Sequence, residues 1–268
     1  MDYVELAGRR IAYTRRGAGE PLLLIMGMAG HAAIWTDALF DGLATDFDVV
    51  AFDNRGIGES TDVPGPFRIA DLADDAVAVL DHLGWDSAHV FGISMGGMAA
   101  QELALSHPER VRRLVLGCTY GGGAGSSLEA PGPLRMMQAA ASGNPAEAVR
   151  AGFQANMSAA YVAEEANWRA FFDIVSSVPV PMEVVVRQAQ AVFVHDTSAR
   201  LASITAPTLV IHGTADQMLY PVNGELIASQ IPGARLYVMD GVGHLFWWER
   251  PDESVRIVRE HLLGQPTS

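Results

Sequence analysis

The sequence predicts an α/β fold: a mostly parallel central sheet flanked by helices, with a helical lid inserted after the sixth strand. Three observations carry this. Continuous apolar runs, such as residues 21–26, have the character of strands covered on both faces. Segments of helical period alternate with them, as at residues 69–83. Between Thr119 and about Arg200 the alternation breaks, and the chain reads as helices alone.

Residues 4–6 and 10–14 read as two strands joined through Ala7-Gly8, a hairpin at the sheet edge. Arg9, Arg10, Arg15 and Arg16 lie across it and are expected on a solvated edge. Residues 21–26 form a central strand that ends in Gly27-Met28-Ala29-Gly30-His31. A short helix at 36–44 leads to a buried strand at 48–52 and the polar loop Asp53-Asn54-Arg55-Gly56-Ile57-Gly58-Glu59-Ser60. The helix at 69–83 places Ile69, Leu72, Ala73, Ala76, Val77, Leu80 and Leu83 on one face. Asp71, Asp74, Asp75 and Asp81 fall mostly on the other, and Gly84 stops it.

Residues 89–91 have strand character and run into Gly92-Ile93-Ser94-Met95-Gly96, followed by a helix to Leu105. This is G-x-S-x-G between strand and helix, the context in which a sharp turn lifts a serine hydroxyl off a sheet. A strand at 113–118 follows. The insertion opens with Gly121-Gly122-Gly123-Ala124-Gly125, read as a hinge, and is rich in Met and aromatic residues. Strand and helix resume at 208–212 and about 221–230, and a last strand at 235–239 precedes a helix at about 252–263. Residues 1–118 and 201–268 are therefore expected to form one core, and 119–200 a helical cap.

Composition narrows the chemistry. The formal charge is −13, and all 18 basic residues are arginine. Without lysine there is no Schiff base, no P-loop lysine and no Ser-Lys dyad. The acidic balance opposes nucleic-acid binding. A single cysteine, Cys118, excludes an internal disulfide and a Cys-cluster zinc site, and it reads as a small core residue. No metal-ligand motif is present, so neither metal nor cofactor is expected. The apolar runs are too short to span a bilayer, and no signal peptide follows Met1, so a cytoplasmic monomer or homodimer is the expectation.

A serine hydroxyl needs a base, and the base needs a carboxylate to orient it. In open α/β sheets such groups sit beyond the carboxyl ends of strands. Asp216 follows the strand ending at His212, and His244 follows the last strand, in the order serine, acid, histidine. Asp240 is a rival for the acid but lies before the Gly241-Val242-Gly243 turn. His212 reads as a structural hydrogen-bonding residue. His31 is read either as a substrate contact or as facing solvent. His195-Asp196 reads as a surface pair, and Glu249 as a helix-start or surface carboxylate. Asp53, Arg55 and Glu59 are expected to brace their loop by hydrogen bonds.

Together these segments resemble the α/β-hydrolases, in the branch of lid-bearing serine esterases, lactonases and cofactor-free perhydrolases. The marks are Gly27-Met28, residues 53–60, Gly92-Ile93-Ser94-Met95-Gly96-Gly97, Gly213-Thr214-Ala215-Asp216 and Gly243-His244, with Glu249-Arg250-Pro251 behind. The resemblance implies Ser94 as nucleophile, His244 as base and then acid, and Asp216 as its orienting carboxylate. It implies an oxyanion hole from the backbone N–H groups of Met28 and Met95. Met26 stands where the family usually has histidine. The serine excludes epoxide hydrolases and haloalkane dehalogenases, which use an aspartate there.

The implied activity is hydrolysis of small to medium, largely apolar carboxylic esters or lactones through an acyl-enzyme. Perhydrolysis, C–C hydrolysis or a biosynthetic cyclisation on the same triad is the alternative, and a non-catalytic receptor a further one. Gly27, Trp35, Met136, Met137, Phe171, Phe172, Leu219, Leu245 and Phe246 are the expected pocket residues. The Met and Phe stripe of the insertion fits a pocket wall or the insertion's own core equally.

Overall fold

The computed structural model describes residues 1–265. Its centre is an eight-stranded sheet: β1 (Asp2–Leu6), β2 (Arg9–Arg16), β3 (Glu20–Ile25), β4 (Phe47–Phe52), β5 (Ala88–Ile93), β6 (Val111–Gly117), β7 (Thr208–Gly213) and β8 (Arg235–Met239). The spatial order is β1-β2-β4-β3-β5-β6-β7-β8, with only the β1–β2 and β2–β4 pairs antiparallel. Every strand foreseen in the sequence is present.

Helices cover both faces, and the two-residue period of the strands decides what each face receives. In β3, Leu23 and Ile25 join one core cluster with α2 (Ile69–His82) and α3 (Met95–Ser106). Leu22 and Leu24 enter the opposite cluster with α1 (Asp37–Leu43) and the C-terminal helix. The chain therefore leaves β3 toward one face and β5 toward the other. Adjacent loops diverge there, which makes the gap a topological switch point, the place where such sheets bind ligands. Register completes the geometry: Ile25 pairs with Gly92, and Ile93 with Gly117, so the carboxyl ends of β3, β5 and β6 finish together.

Between β6 and β7 lie five helices: α4 (Pro131–Ala141), α5 (Pro145–Asn156), α6 (Ala159–Val162), α7 (Glu165–Val175) and α8 (Met182–Phe193). Phe153 gathers Trp168 and Phe171 at ring distances of 5.6 and 5.2 Å. Phe171 in turn meets Trp248 at 5.5 Å, tying the insertion to the sheet domain. The aromatic stripe is thus largely the insertion's own core. Its two ends are fastened side by side, since the Thr197 N–H donates to Gly121 O at 2.9 Å and its hydroxyl to Gln101 at 2.6 Å.

After β7 come α9 (Val222–Gln230), α10 (Phe246–Glu249) and α11 (Pro251–Leu262). Proline opens α11, acidic residues fill its first turn and Arg259 and His261 its last, the charge order a helix dipole favours. His261 is buried, with Nε2 at 3.1 Å from Leu114 O and Nδ1 facing Arg235 at 3.1 Å. Burial, followed by the charges of Arg235 and Arg113, pushes its pKa down to about 4. Between that value and the ordinary histidine range, the unfolded chain binds a proton that the folded one refuses, so stability rises with pH. From this ring the folded state loses on the order of 3 kcal/mol as pH falls from about 7 to about 4. Thermal melts of His261→Gln over that interval should show a shallower pH slope than wild type; an unchanged slope contradicts the assignment.

Two expectations about charge are corrected here. Asp75 is not on the solvent face of α2: it is buried and held by Arg55 Nε at 2.7 Å and by Arg9. Arg9 therefore reaches inward from the edge hairpin. The loop after β4 is braced as foreseen, with Asp53 accepting the Ala32 N–H at 2.7 Å and Arg55 clamped to α2.

Candidate active site

Ser94 sits between β5 and α3 with φ 55° and ψ −123°, a conformation that is strained for any side-chain-bearing residue. The surroundings enforce it. Its N–H donates to Gly117 O at 2.9 Å, and its carbonyl accepts from Met98 N at 3.1 Å and from the Thr119 hydroxyl at 2.6 Å. The flanking glycines are demanded by contact: a β-carbon on Gly96 would stand 2.0 Å from Ile25 O, and one on Gly92 2.3 Å from Gly96 O. With both absent, α3 starts this close to β3 and β5. Met95 is the first residue of α3, so its N–H has no intrahelical acceptor and lies at the positive end of the helix.

The loop after β3 comes alongside. A β-carbon on Gly27 would lie 3.0 Å from Ser94 Cβ and 3.6 Å from its Oγ. Residues 27–30 form a turn closed by Gly30 N–H on Gly27 O at 3.3 Å, and Ala29 has φ 60° at its third position. That position normally goes to glycine, and an L-residue there costs about 1–2 kcal/mol. Met28 is half-buried. The side chain of Met26 lies below, its Cγ 2.6 Å from where a Gly30 β-carbon would be, and Asn54 donates to its carbonyl at 2.9 Å.

Asp216 and His244 meet. The Nδ1–H of His244 donates to Asp216 Oδ2 at 2.7 Å, and both side chains are buried. Asp216 Oδ1 accepts the N–H groups of Met218 and Leu219 at 2.7 and 2.9 Å. Burial alone would raise this carboxyl. The charge and hydrogen bond of His244, with the adjacent His212 ring, outweigh it, and Asp216 is held well below the usual carboxylate range. It therefore stays ionised, which is what an orienting carboxylate requires. Its rival is set aside: Asp240 is exposed and accepts from the Thr214 hydroxyl at 3.1 Å.

The histidine loop is held from behind by a residue the sequence reading underrated. Glu249 is no surface carboxylate: its Oε1 accepts Gly243 N–H at 2.9 Å and Ser158 N–H at 2.8 Å, and its Oε2 accepts the Ser158 hydroxyl at 2.5 Å. The N–H groups of His244 and Leu245 both donate to Asn156 O, at 2.8 and 3.1 Å. The end of α5 and the start of α6 thus grip the loop that carries His244. In the sequence Glu249 is only a carboxylate beside an aromatic run, a pattern that does not reveal a buried partner.

The other histidines separate clearly. His212 is buried, with Nε2 donating to Leu219 O at 2.9 Å and lying 3.2 Å from Asp216 Oδ2. His31 is buried rather than facing solvent, and its Nε2 has no partner among the described residues; burial lowers its pKa. His195 is likewise not a surface residue: it is buried, lies 3.8 Å from Glu102, and burial pushes it down to about 4. Asp196 instead accepts from Ser198. Cys118 is fully enclosed as expected, and burial raises its thiol pKa well above the ordinary value.

Among the expected pocket residues, Gly27 lies against Ser94, while Leu219 and Leu245 are buried in the loops carrying Asp216 and His244. Trp35 and Phe246 are fully enclosed: Trp35 packs on Phe91 and Trp247 at 4.9 Å, and Phe246 stacks on Phe91, so both support the site from within the core. Phe171 belongs to the insertion's core, and Phe172, half-buried, packs on Trp168 at 5.3 Å. Met136 is half-buried, and Met137 is 70% exposed.

Cys118, His212 and Asp216 have ligand-type atoms within 4.8 Å of one another, all buried. Asp216 already spends its oxygens on His244 and two backbone donors, and His212 Nε2 is committed to Leu219 O, so the trio is better described as packing behind the acid. Among the described residues no helix is long and apolar enough to cross a membrane.

Known proteins match along nearly the whole chain. It is 32% identical to a putative carbamate hydrolase, RutD, of Azorhizobium caulinodans, over 98% of this chain and 97% of that protein. An enol-lactonase from Burkholderia xenovorans superposes with TM-score 0.85 at 26% identity, covering 98% of this chain and all of that one. Est816, described as an N-acyl homoserine lactone degrading enzyme, superposes with TM-score 0.79 at 34% identity, covering 96% and 99%. The family model for the alpha/beta hydrolase fold matches residues 20–251. With that match spanning the elbow of Ser94 and the loops of Asp216 and His244, the chain belongs to the α/β-hydrolase family.

Proposed function

We propose that the protein is a serine hydrolase that cleaves carboxylic esters or lactones of small to medium, largely apolar substrates through an acyl-enzyme. The observation that carries this reading is the 2.7 Å bond from His244 Nδ1 to the buried Asp216 carboxyl, on the sheet edge that also bears the strained Ser94 turn. With Nδ1 committed to the carboxylate, Nε2 of His244 is the nitrogen left to take a proton from Ser94 Oγ. The oxygen attacks the carbonyl carbon, and negative charge moves to the carbonyl oxygen. The N–H groups of Met28 and Met95 receive it, and a pair of this kind is worth about 100- to 1000-fold in rate per donor. As the tetrahedral intermediate collapses and the acyl C–O bond breaks, His244 protonates the alkoxide oxygen, which departs as the alcohol or, from a lactone, stays tethered to the acyl group. Water, activated by the same imidazole, releases the acid.

Three further features support the reading. Both donors are main-chain groups, so methionine side chains beside them leave the hole intact and present apolar, adaptable surface. Among the relatives, the enol-lactonase, Est816 and the putative carbamate hydrolase are named for lactones or a carbamate, bonds cleaved by acyl transfer at a carbonyl. The five-helix insertion hydrogen-bonds to the loops at the carboxyl edge through Asn156, Ser158 and Gln188, which fits a cap.

A substrate panel tests the class: nitrophenyl acetate and butyrate, a γ-butyrolactone series, an N-acyl homoserine lactone, and an aryl carbamate. Turnover of esters and lactones with kcat/KM above that for the carbamate is the expected result. Turnover confined to the carbamate would replace the substrate class while keeping the chemistry.

A further inference from the structure

Gln188 lies in the middle of α8, 159 residues along the chain from Ala29, and its side chain is fully enclosed. Its Oε1 accepts the Ala29 N–H at 2.8 Å, and its Nε2 has no partner among the described residues. Packing does not explain a glutamine here, because a leucine or methionine would fill the space without stranding a buried donor. What the amide supplies is the acceptor for Ala29.

Ala29 is the residue whose backbone most needs holding. Its φ of 60° is one that alanine leaves readily unless its surroundings prevent it. It directly follows Met28, and the same turn places Gly27 against Ser94. The rest of α8 is seated on the neighbouring loop. Arg187 grips Asp62 through both carboxylate oxygens at 2.6 and 2.8 Å and donates to Val63 O at 2.8 Å. Val184 packs on Gly56 so closely that a β-carbon there would lie 2.7 Å away.

We propose that Gln188 is a positioning residue for the oxyanion loop: by holding the Ala29 N–H it fixes the turn that presents the Met28 N–H. The anion-binding pair is then complete only while α8 is seated, so the insertion contributes to rate as well as to enclosure. This rests on the reading of Ser94 as nucleophile and Met28 as donor.

Gln188→Met keeps the volume and removes the acceptor. The expected result is a fall in kcat for nitrophenyl butyrate of about 10- to 100-fold, part of what losing a whole donor does, with KM within about 2-fold. The inhibition constant of a trifluoromethyl ketone, which forms an oxyanion on the serine, should rise by the same factor. Ala29→Gly added to Gln188→Met should recover part of kcat, because glycine holds a positive φ without crowding. Gln188→Asn, which draws the amide back by one methylene, serves in the same assays if the methionine variant does not fold. An unchanged kcat, or a rise in KM alone, overturns the proposal. Full activity in Ser94→Ala would instead overturn the reading beneath it, whatever the Gln188 variants do.

Discussion

Ser94→Ala is expected to lower kcat for nitrophenyl butyrate by on the order of 10⁶-fold, the scale of loss when one member of a cooperating triad is removed. The fold should be unaffected, for a physical reason visible at the turn. The strain at φ 55° is borne by the backbone, and alanine carries the same β-carbon into the same contacts as serine. The hydroxyl itself makes none of the bonds that hold the turn; those run from the main chain to Gly117, Met98 and Thr119. A melting temperature close to wild type with activity abolished is therefore the expected pair of readings. Residual kcat within tenfold of wild type would move the nucleophile elsewhere.

Asp216→Asn is expected to cost about 10⁴-fold in kcat with little structural change, and the direction follows from the donors around the carboxylate. The N–H groups of Met218 and Leu219 both point at Oδ1, so an asparagine must place its carbonyl oxygen there. Its NH₂ then faces His244 Nδ1, which has to become an acceptor. The imidazole proton moves to Nε2, the nitrogen that should take the proton from Ser94. The same NH₂ also meets His212 Nε2, whose proton is committed to Leu219 O. The variant thus holds its base in the wrong tautomer. Steady-state kinetics on one ester checks this, and a kcat within tenfold of wild type would show that His244 needs no such orientation.

How much of this was legible in the chain depends on the range of the interaction. The buried strand at β3, the elbow at Ser94 and the strand-end positions of Asp216 and His244 are set by local signals, namely apolar runs, glycine spacing and order along the chain. Residues whose roles depend on distant partners carry no such local signal. Glu249 looks like any helix-start carboxylate until Ser158, 91 residues away, is seen against it. Asp75 satisfies the pattern of an exposed helix face, yet Arg9 and Arg55 draw it inside. His195 stands next to an aspartate in sequence, while its nearest carboxylate is that of Glu102 on α3. Gln188 has no local signature at all. Periodicity counts apolar residues and cannot say which polar side chain has a buried partner waiting. The aromatic stripe of the insertion shows the same limit, since a pocket wall and a small core call for the same residues.

The most direct measurement is covalent trapping with a nitrophenyl alkylphosphonate, in which an activated serine oxygen displaces nitrophenolate from phosphorus. Peptide mapping by mass spectrometry should find one phosphonyl group per chain, on Ser94, with activity lost in proportion to labelling and labelling greatly slowed in Asp216→Asn. Activity lost with the label on another residue, or retained with Ser94 fully labelled, would contradict the assignment of this hydroxyl as the attacking group.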